Sequence, residues 1–223
     1  MQENLDKGFI SVSSNCSFVL LVLFVKKANR ILRFYIDFRK LNKITCKDLY
    51  PIPRINKLLS RLTKAVIFTK LDIRQVFNCI RIYKDSIDLT MFRTRYRVYK
   101  YNILPFGLTN SPAIYQRYIN DILLDYLDDF CIAYLDNILI YSEDLLQHQE
   151  HILKVIDRLR DTGLQPDITK YKFGVTRTKY LGYILTTKGL EIDPEKVEPL
   201  RNWALPKTVT GIKSYLGFCS FYR

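Results

Sequence analysis

The sequence holds few of the residues that build metal or disulfide frameworks. Only two of its 223 residues are histidine, and its five cysteines are scattered without a Cys-x-x-Cys pair. Neither a zinc site nor a disulfide framework is therefore expected, and a reducing compartment fits. The histidines His148 and His151 have a spacing found in some metal sites, but no third ligand lies near them in sequence. We expect them on an exposed helix face.

Long apolar runs are missing as well. The stretch FVLLVLFV, Phe18–Val25, is apolar for eight residues, which is too short to span a bilayer. The residues before it lack the basic start of a signal peptide. We therefore expect a buried strand here and no membrane partner. With no targeting signal visible, we expect an intracellular protein of the cytoplasm or nucleus.

Positive charge is what the chain has in excess. Lys and Arg number 35 against 22 Asp and Glu, a net charge of +13, while 48% of the residues are hydrophobic. A chain of this length forms one large domain or two small ones with a real core. A folded domain this basic favours a polyanionic partner, of which nucleic acid is the commonest.

Periodicity and turn residues predict strands and helices in mixed order. After a loose lead-in at residues 1–17, we expect strands at 18–25, 32–38 and 66–72, a hairpin at 131–142, and a further strand or hairpin arm at 179–187. We expect helices at 55–62 and 110–127, one that Ser142 caps and Gly163 closes, and one from 211 onwards. Because strands are often adjacent along the chain, this order predicts an α+β fold.

Two acids stand at the ends of expected strands. Asp72 ends the strand 66–72, and Asp136 lies at the tip of the hairpin CIAYLDNILIYS. Asp136-Asn137 is also an ordinary turn pair, because Asp and Asn tolerate left-handed backbone conformations. If the sheet brings both carboxylates to one edge, they could hold two Mg²⁺ ions, which take oxygen ligands and serve phosphoryl transfer. These residues alone leave both interpretations open.

Longer motifs bear on that choice. In fixed order the chain contains FRKLNKITCKDLYPIPRINKLLSRL, FTKLDIRQVFNCIRI, FRTRY, LPFGLTNSPAIYQRYIND, YLDNILIYS, KFGVTRTKYLGYI and DPEKVEPLRNWALPKTV. Over roughly residues 19–223 it strongly resembles the reverse transcriptase domain of Gypsy-type LTR retrotransposon Pol polyproteins. The resemblance implies an α+β fold of fingers and palm, with an antiparallel palm sheet packed on helices. It also implies RNA-directed DNA polymerase activity with two Mg²⁺ (or Mn²⁺) ions, a primed RNA or DNA template and deoxynucleoside triphosphates.

The resemblance also implies the catalytic residues. Asp72 matches the first catalytic carboxylate of the family. Tyr134–Asn137 matches the signature Tyr-x-Asp-Asp, so Asp72 and Asp136 are the implied metal ligands. Asn137 stands where the signature has its second acid. An amide keeps an oxygen but lacks the charge, so Asn137 is expected to weaken metal binding.

A nucleotide pocket follows from the same resemblance. Phe77 matches the aromatic steric gate that excludes a ribose 2′-hydroxyl, and the backbone at Ile73 would face the triphosphate. Lys170 matches a lysine suggested to donate a proton to pyrophosphate. The other implied nucleotide contacts are the cations Lys26 or Lys27 and Arg33, and the loop residues Pro105, Phe106 and Gly107.

Primer contacts and domain limits complete the implied picture. The fingers and palm would span residues 18–185, and residues 186–223 would begin the thumb and connection, stopping inside an uncapped helix as if truncated. RNase H and integrase, expected in the intact polyprotein, do not fit in 223 residues. The implied primer contacts are Tyr134 of the signature and Tyr180, Leu181, Gly182 and Tyr183 of the primer grip.

Several positions depart from the family pattern. Arg97 stands in place of a glycine, Tyr171 in place of cysteine or serine, and Lys172 where an acid is frequent. Residues 28–31 replace a fingers loop that usually reads Lys-Asp-Gly-Ser. Together with Asn137, these departures favour an alternative function, a non-catalytic nucleic-acid-binding remnant of the same fold. A basic structural protein does not explain the order of the motifs.

The departures share a direction that can be tested in the gene. Asn137, Arg97, Tyr171 and Lys172 are each one G-to-A change away from the residue of the family pattern. We hypothesise that the chain is a decaying, degenerate copy of an element. Alignment of its gene with intact relatives should show an excess of G-to-A transitions. A gene without that bias would remove this support.

Overall fold

The computed structural model describes residues 1–13, 18–26, 32–74, 76–167 and 171–221. Its helices are α1 (Gln2–Asp6), α2 (Arg39–Ile44), α3 (Ile55–Leu59), α4 (Ser111–Leu123), α5 (Leu145–Asp161), α6 (Pro194–Arg201) and α7 (Val209–Phe221). Its strands are β1 (Ile10–Val12), β2 (Val22–Lys26), β3 (Leu32–Ile36), β4 (Ile67–Asp72), β5 (Phe92–Arg93), β6 (Val98–Tyr101), β7 (Cys131–Tyr134), β8 (Asn137–Ser142), β9 (Lys172–Val175), β10 (Arg177–Tyr180), β11 (Tyr183–Thr186) and β12 (Gly189–Ile192). Short 3-10 helical turns lie at Ser60–Lys64, Val76–Cys79 and Lys84–Thr90.

One antiparallel sheet of four strands, in the order β7-β8-β4-β9, is called the palm sheet here. Successive side chains of a strand point to opposite faces, and β8 shows this with Ile138 and Ile140 on one face and Leu139 and Tyr141 on the other. Helices α4 and α5 cover the first face. The second face packs against α3, the turn after it and the β10–β11 hairpin. The predicted α+β fold, with an antiparallel palm sheet packed on helices, is confirmed.

The hairpin at the palm edge turns one residue earlier than predicted. Tyr134 pairs directly with Asn137, so the two turn residues are Leu135 and Asp136. Leu135 has a φ of 50°, a left-handed conformation that is uncommon for a leucine. Asn137 is the first residue of β8 rather than a turn residue, and its side chain is therefore set by the register of the sheet.

The N-terminal segment is not a loose lead-in. Residues 2–6 form α1, and β1 pairs antiparallel with β6, with Ile10 opposite Tyr101. Ile10 is buried in a small core that also contains Leu20 and Phe92. The prediction of a loose lead-in rested on the polar and small residues of this segment. The packing of Ile10 against a strand distant in sequence cannot be seen in local composition. The division at residue 186 stays a prediction.

The apolar run Phe18–Val25 forms a strand, but the prediction that it is buried is wrong. Strand β2 starts at Val22 and pairs with β3 in a two-stranded sheet. Within the run, Leu20 is buried, whereas Leu21 is 70% exposed and Phe24 is 65% exposed. Because β2 pairs only with β3 among the described strands, no further layer of the described structure covers both of its faces. The spacing of apolar residues in the sequence does not show how many strands or layers surround them.

Helix ends also differ in detail from the predictions. Helix α4 ends at Leu123, and α3 continues as a 3-10 turn. Asp144, rather than Ser142, caps α5, because its carboxylate accepts the backbone N–H groups of Leu146 and Gln147 at 3.1 and 3.0 Å. Gly163 follows the end of this helix with a φ of 71°, as predicted. Strands β3 and β4 agree with the predicted strands at 32–38 and 66–72, whereas the predicted segment 179–187 is interrupted by the turn at Leu181 and Gly182 between β10 and β11. No helix among the described residues is long and apolar enough to cross a membrane.

Ser142 belongs instead to a chain of hydrogen bonds between the palm sheet and α5. We call this chain the histidine relay, and it comprises Gly174, Thr69, His148, Ser142 and His151. His148 is only 1% exposed, so the prediction of an exposed helix face is wrong for it. One direction of donation satisfies every member. Gly174 N–H donates to Thr69 Oγ1 (3.0 Å), whose hydroxyl donates to His148 Nε2 (2.7 Å). His148 Nδ1 then donates to Ser142 Oγ (2.8 Å), and the Ser142 hydroxyl donates to His151 Nδ1 (2.8 Å).

The histidine relay makes the stability of the fold sensitive to acid. Burial lowers the pKa of His148 below its ordinary value of 6.5, and the nearby His151 lowers it further. Burial likewise lowers the pKa of His151, with Lys154 adding to the effect. Below pH 6.5 the unfolded chain therefore binds protons that the folded chain does not, and the free energy of unfolding must decrease.

We predict that replacing His148 with Gln flattens this acid dependence. Urea unfolding at pH 7.5 and 5.5 should show a smaller loss for His148→Gln than for the unchanged chain, because one depressed pKa has been removed. At pH 7.5 the variant itself should be less stable by about 1–3 kcal/mol, since Thr69 and Ser142 lose a buried partner. Equal acid dependence in the two proteins would contradict this account.

Candidate active site

The palm sheet brings the two predicted acids to the same end of its inner strands β4 and β8, which we call the edge of the site. Asp72 is the last residue of β4, and its partner across the sheet is Asn137, the residue after Asp136. The backbone N–H of Ile73 donates to the carbonyl oxygen of Asp136 at 3.0 Å, which ties the end of β4 to the hairpin turn. Asp136 is exposed and Asp72 is partly exposed, so both carboxylates can be reached from solvent.

Each of these acids already has a partner from its own chain. Lys70 Nζ lies 3.4 Å from Asp72 Oδ1. The amide nitrogen of Asn137 donates to Asp136 Oδ1 at 3.1 Å. A second aspartate in place of Asn137 would repel Asp136 where this amide binds it, so Asn137 changes both the charge and the hydrogen bonding of the site.

A buried glutamine that was not predicted supports the turn from below. Gln116 of α4 accepts the backbone N–H of Leu135 at 2.8 Å and donates to the carbonyl of Ala133 at 3.0 Å. Its amide nitrogen also donates to Asn120 at 2.9 Å. Gln116 is fully buried, and a polar residue on the buried face of a helix is the signal that could have revealed it.

The segment after α5 holds the end of β4 from the other side. Asp167 N–H donates to the carbonyl of Asp72 at 2.7 Å, and Arg74 N–H donates to the carbonyl of Gln165 at 2.9 Å. The guanidinium of Arg74 binds the carboxylate of Asp167 at 2.8 Å. The backbone that carries Asp72 is thus fixed between the hairpin turn and this segment.

The predicted steric gate lies in a row of aromatic rings. Phe77 has Phe106 at 5.9 Å on one side and Tyr115 at 5.8 Å on the other, both edge-on. Phe106 also meets Tyr35 at 5.9 Å and is itself 63% exposed. Contacts with Tyr115, which is fully buried, restrict the orientation of the Phe77 ring.

The hydroxyl of Tyr115 is buried and has no hydrogen-bond partner among the described residues. Burial raises the pKa of Tyr115 well above its usual value, and the charges of Cys79 and Asp136 raise it further. Tyr115 therefore stays protonated, and it lies close enough to Asp136 to sense its charge.

The loop around the predicted residues Pro105, Phe106 and Gly107 is fixed from α2. Asn42 donates to the carbonyl of Gly107 at 2.9 Å and accepts the N–H of Thr109 at 2.8 Å. Gly107 has a φ of 107°, and a side chain there would meet the ring of Phe38 at 3.3 Å. These constraints require glycine and hold Phe106 towards solvent.

The predicted primer-grip residues divide between core and surface. Tyr180 and Tyr183 face each other across the β10–β11 hairpin and are buried, and burial raises the pKa of Tyr180. The Tyr180 hydroxyl donates to the carbonyl of Asn137 at 3.4 Å. Leu181 and Gly182 form the turn with positive φ and are partly exposed. The tyrosines thus support the signature hairpin, and primer contact at the turn stays a prediction.

Tyr134 and the predicted cations complete the placement of the site residues. Tyr134 ends β7 and is partly buried against the core cluster that contains Tyr180 and Tyr183. Lys26 and Arg33 lie on β2 and β3, where the backbone is described but their side chains are not. Lys27, Lys170 and the fingers loop at residues 28–31 lie outside the described residues.

The oxygen donors at this edge fit a hard divalent cation. Asp72, Asp136 and the amide oxygen of Asn137 are the kinds of ligand that Mg²⁺ and Mn²⁺ accept, with two carboxylate charges in the set. Within the described residues, no cluster of three or more His, Cys, Asp or Glu side chains could hold a metal ion. A metal ion bound here would have Asp72 and Asp136 as its charged ligands and would need further oxygens from substrate or solvent.

Comparisons with known proteins agree with this fold. A family profile described as "Reverse transcriptase (RNA-dependent DNA polymerase)" matches residues 25–185. The Pol polyprotein of transposon opus from Drosophila melanogaster is 39% identical over 86% of this chain and 19% of its own length. That of transposon 297 from the same organism is 36% identical over 100% of this chain and 21% of its own length. The chain thus spans about a fifth of these curated relatives.

Solved structures show the same fold. A foamy viral protease-reverse transcriptase in complex with double-stranded DNA superposes with a TM-score of 0.89 and 23% identity, over 99% of this chain and 38% of that one. The same kind of protein in complex with an RNA/DNA hybrid gives 0.85 and 23% identity, over 100% of this chain and 30% of that one. The chain belongs to the reverse transcriptase (RNA-dependent DNA polymerase) family. Within that family, the Pol polyprotein of transposon gypsy from Drosophila melanogaster is 36% identical over 86% of this chain and 18% of its own length, which supports the Gypsy type of LTR retrotransposons.

We predict that Gln116→Leu destabilises the signature hairpin. Leucine has a similar volume but leaves the N–H of Leu135 and the carbonyl of Ala133 without a partner, so the free energy of unfolding should fall by about 1–3 kcal/mol. Chemical denaturation measures this loss. The matched change Gln149→Leu on the exposed side of α5 should cost much less. Equal losses in both variants would exclude a supporting role for Gln116.

Proposed function

We propose that the chain is the RNA-directed DNA polymerase domain of a retrotransposon Pol polyprotein, with its activity impaired by Asn137. The observation that carries this proposal is the shared position of Asp72 and Asp136 at one edge of the palm sheet, joined by the hydrogen bond from Ile73 to Asp136. Two carboxylates at one edge are what nucleotidyl transfer with divalent ions requires.

The proposed substrates are a primed RNA or DNA template and deoxynucleoside triphosphates. The net charge of +13 supports a polyanionic partner held mainly through its phosphates. The foamy viral relatives of the same fold were solved with an RNA/DNA hybrid and with double-stranded DNA, which supports the same class of partner here.

In the proposed reaction the primer 3′-hydroxyl attacks the α-phosphate in line and pyrophosphate leaves. Asp72 and Asp136 would hold two Mg²⁺ ions (or Mn²⁺), which supply stabilisation of the charge on the attacking and leaving oxygens. Phe77, fixed by Tyr115, would block the space of a ribose 2′-hydroxyl. Phe106 and the backbone at Ile73 would line the nucleotide pocket.

A second candidate function is a non-catalytic nucleic-acid-binding remnant of the same fold. It is favoured by the hydrogen bond from Asn137 to Asp136, which takes up one oxygen of a metal-binding carboxylate without adding charge. A remnant would keep the basic surface and the fold and lose the chemistry.

Primer extension separates these two functions. With Mg²⁺ or Mn²⁺ and a primed RNA template, we expect little or no extension by the unchanged chain and partial recovery in Asn137→Asp, because the variant restores the charge beside Asp136. Recovery should vanish when Asp72→Asn is added. The control Asn56→Asp, an exposed position on α3 with the same change of charge, should stay inactive.

Other outcomes are equally informative. Robust synthesis by the unchanged chain would contradict the remnant function. If Asn137→Asp is inactive while the fold is intact, Asn137 is not sufficient to explain the loss, and the polymerase proposal fails for this sequence.

A further inference from the structure

The strand that carries Asp72 also carries a lysine directed at the same carboxylate. Residues two apart in a strand point to the same face, so Lys70 and Asp72 are on one face of β4. The distance from Lys70 Nζ to Asp72 Oδ1 is 3.4 Å, and the two side chains are 22% and 15% exposed. Partial burial makes such a pair stronger than a pair on the open surface.

A second lysine stands directly opposite the first. In the pairing of β4 with the edge strand β9, Lys70 faces Lys172. Directly opposed residues of antiparallel strands are neighbours on the same face, and like charges there repel. Lys172 is exposed, so it can turn into solvent, whereas the partly buried Lys70 has the Asp72 carboxylate next to it.

We infer that Lys70 is a positioning residue that competes with a divalent ion for the carboxylate of Asp72, and that Lys172 strengthens this competition by repelling Lys70 along the same face. The inference rests on the proposed function, because it takes Asp72 to be a metal ligand. The Lys70 ammonium group lies 3.4 Å from Oδ1 of Asp72, so its charge repels a divalent cation at this carboxylate. The observed affinity for the ion is therefore reduced unless Lys70 moves away from Asp72.

Lys172 thereby affects the active site from an edge strand, through the side chain of Lys70. An acid at position 172 would offer Lys70 an alternative partner across the strands and leave Asp72 available. Lys172 thus adds to the effect of Asn137. Lys172 drives Lys70 towards Asp72, whereas Asn137 removes a negative charge beside Asp136.

Binding of Mn²⁺ alone, measured by electron paramagnetic resonance on the purified chain, tests the inference without any polymerase reaction. Lys70→Met keeps the length of the side chain and removes the charge, and it should bind Mn²⁺ about three- to tenfold more tightly than the unchanged chain, the range expected for losing one partly buried ion pair. Adding Asp72→Asn should abolish the gain.

A matched lysine controls for net charge. Lys100 is similarly exposed (29%) and pairs with Asp88 at 2.8 Å, far along the chain from the acids of the site. Lys100→Met should change the Mn²⁺ affinity little. If Lys70→Met binds no more tightly than Lys100→Met, or if neither binds Mn²⁺, the inference is wrong.

The effect of Lys172 on Lys70 can be tested separately, because Lys172 is exposed and its replacement should not disturb folding. Lys172→Glu should tighten Mn²⁺ binding more than Lys188→Glu, an equal charge change in the turn between β11 and β12. In the Lys70→Met background the two glutamate variants should become equivalent, because the side chain through which position 172 acts is gone. A persistent advantage of Lys172→Glu there would show that position 172 acts on the metal without Lys70, and would overturn the role of Lys70.

These results are distinguishable from failure of the proposed function. Tighter Mn²⁺ binding by Lys70→Met with no primer extension in any variant would support the competition while contradicting polymerase activity.

Discussion

The pairing of β4 with β8 is the interaction on which the rest of the structure depends. Its unbroken register runs from Ile67 opposite Ser142 to Asp72 opposite Asn137. A slip of one residue would turn every side chain of β8 to the wrong face, exchanging the residues that pack on α4 and α5 with those that pack on α3. The cost of exposing so many apolar side chains therefore fixes the relative position of Asp72 and Asp136.

Polar groups secure this register at both ends of the sheet. At the site end, Gln116 binds the hairpin turn and Asp167 binds the end of β4. At the far end, the histidine relay connects Thr69 on β4, Ser142 on β8 and His148 on α5. Such buried networks are stabilising only when every member has a partner, so they restrict the sheet to one arrangement.

Much of this arrangement could be predicted from the sequence, for reasons that differ between elements. Strand β4 and the β7–β8 hairpin have strong periodicity and a turn signal, and the family motifs name their acids. The role of His148 was not predicted, because a polar residue on a helix is read as exposed unless its distant partners are known. Gln116 lies on the buried face of α4, which marks it as buried, but the backbone groups that it binds cannot be identified from local sequence. The exposure of Phe24 was missed for the opposite reason, since apolar residues are read as buried. The position of Lys70 beside Asp72 follows from their spacing in β4, whereas its pairing with Lys172 depends on the register of β9, which local sequence does not encode.

The hydrogen bond from Tyr180 to the carbonyl of Asn137 has a consequence for how these sequences evolve. It joins the β7–β8 hairpin, which carries the signature, to the β10–β11 hairpin. Two motifs that are separate along the chain are therefore in direct contact. A change in the packing beneath Tyr180 is transmitted to the backbone that carries the second signature position. We therefore expect these two segments to covary among related chains, with a substitution in one tolerated chiefly where the other has adjusted.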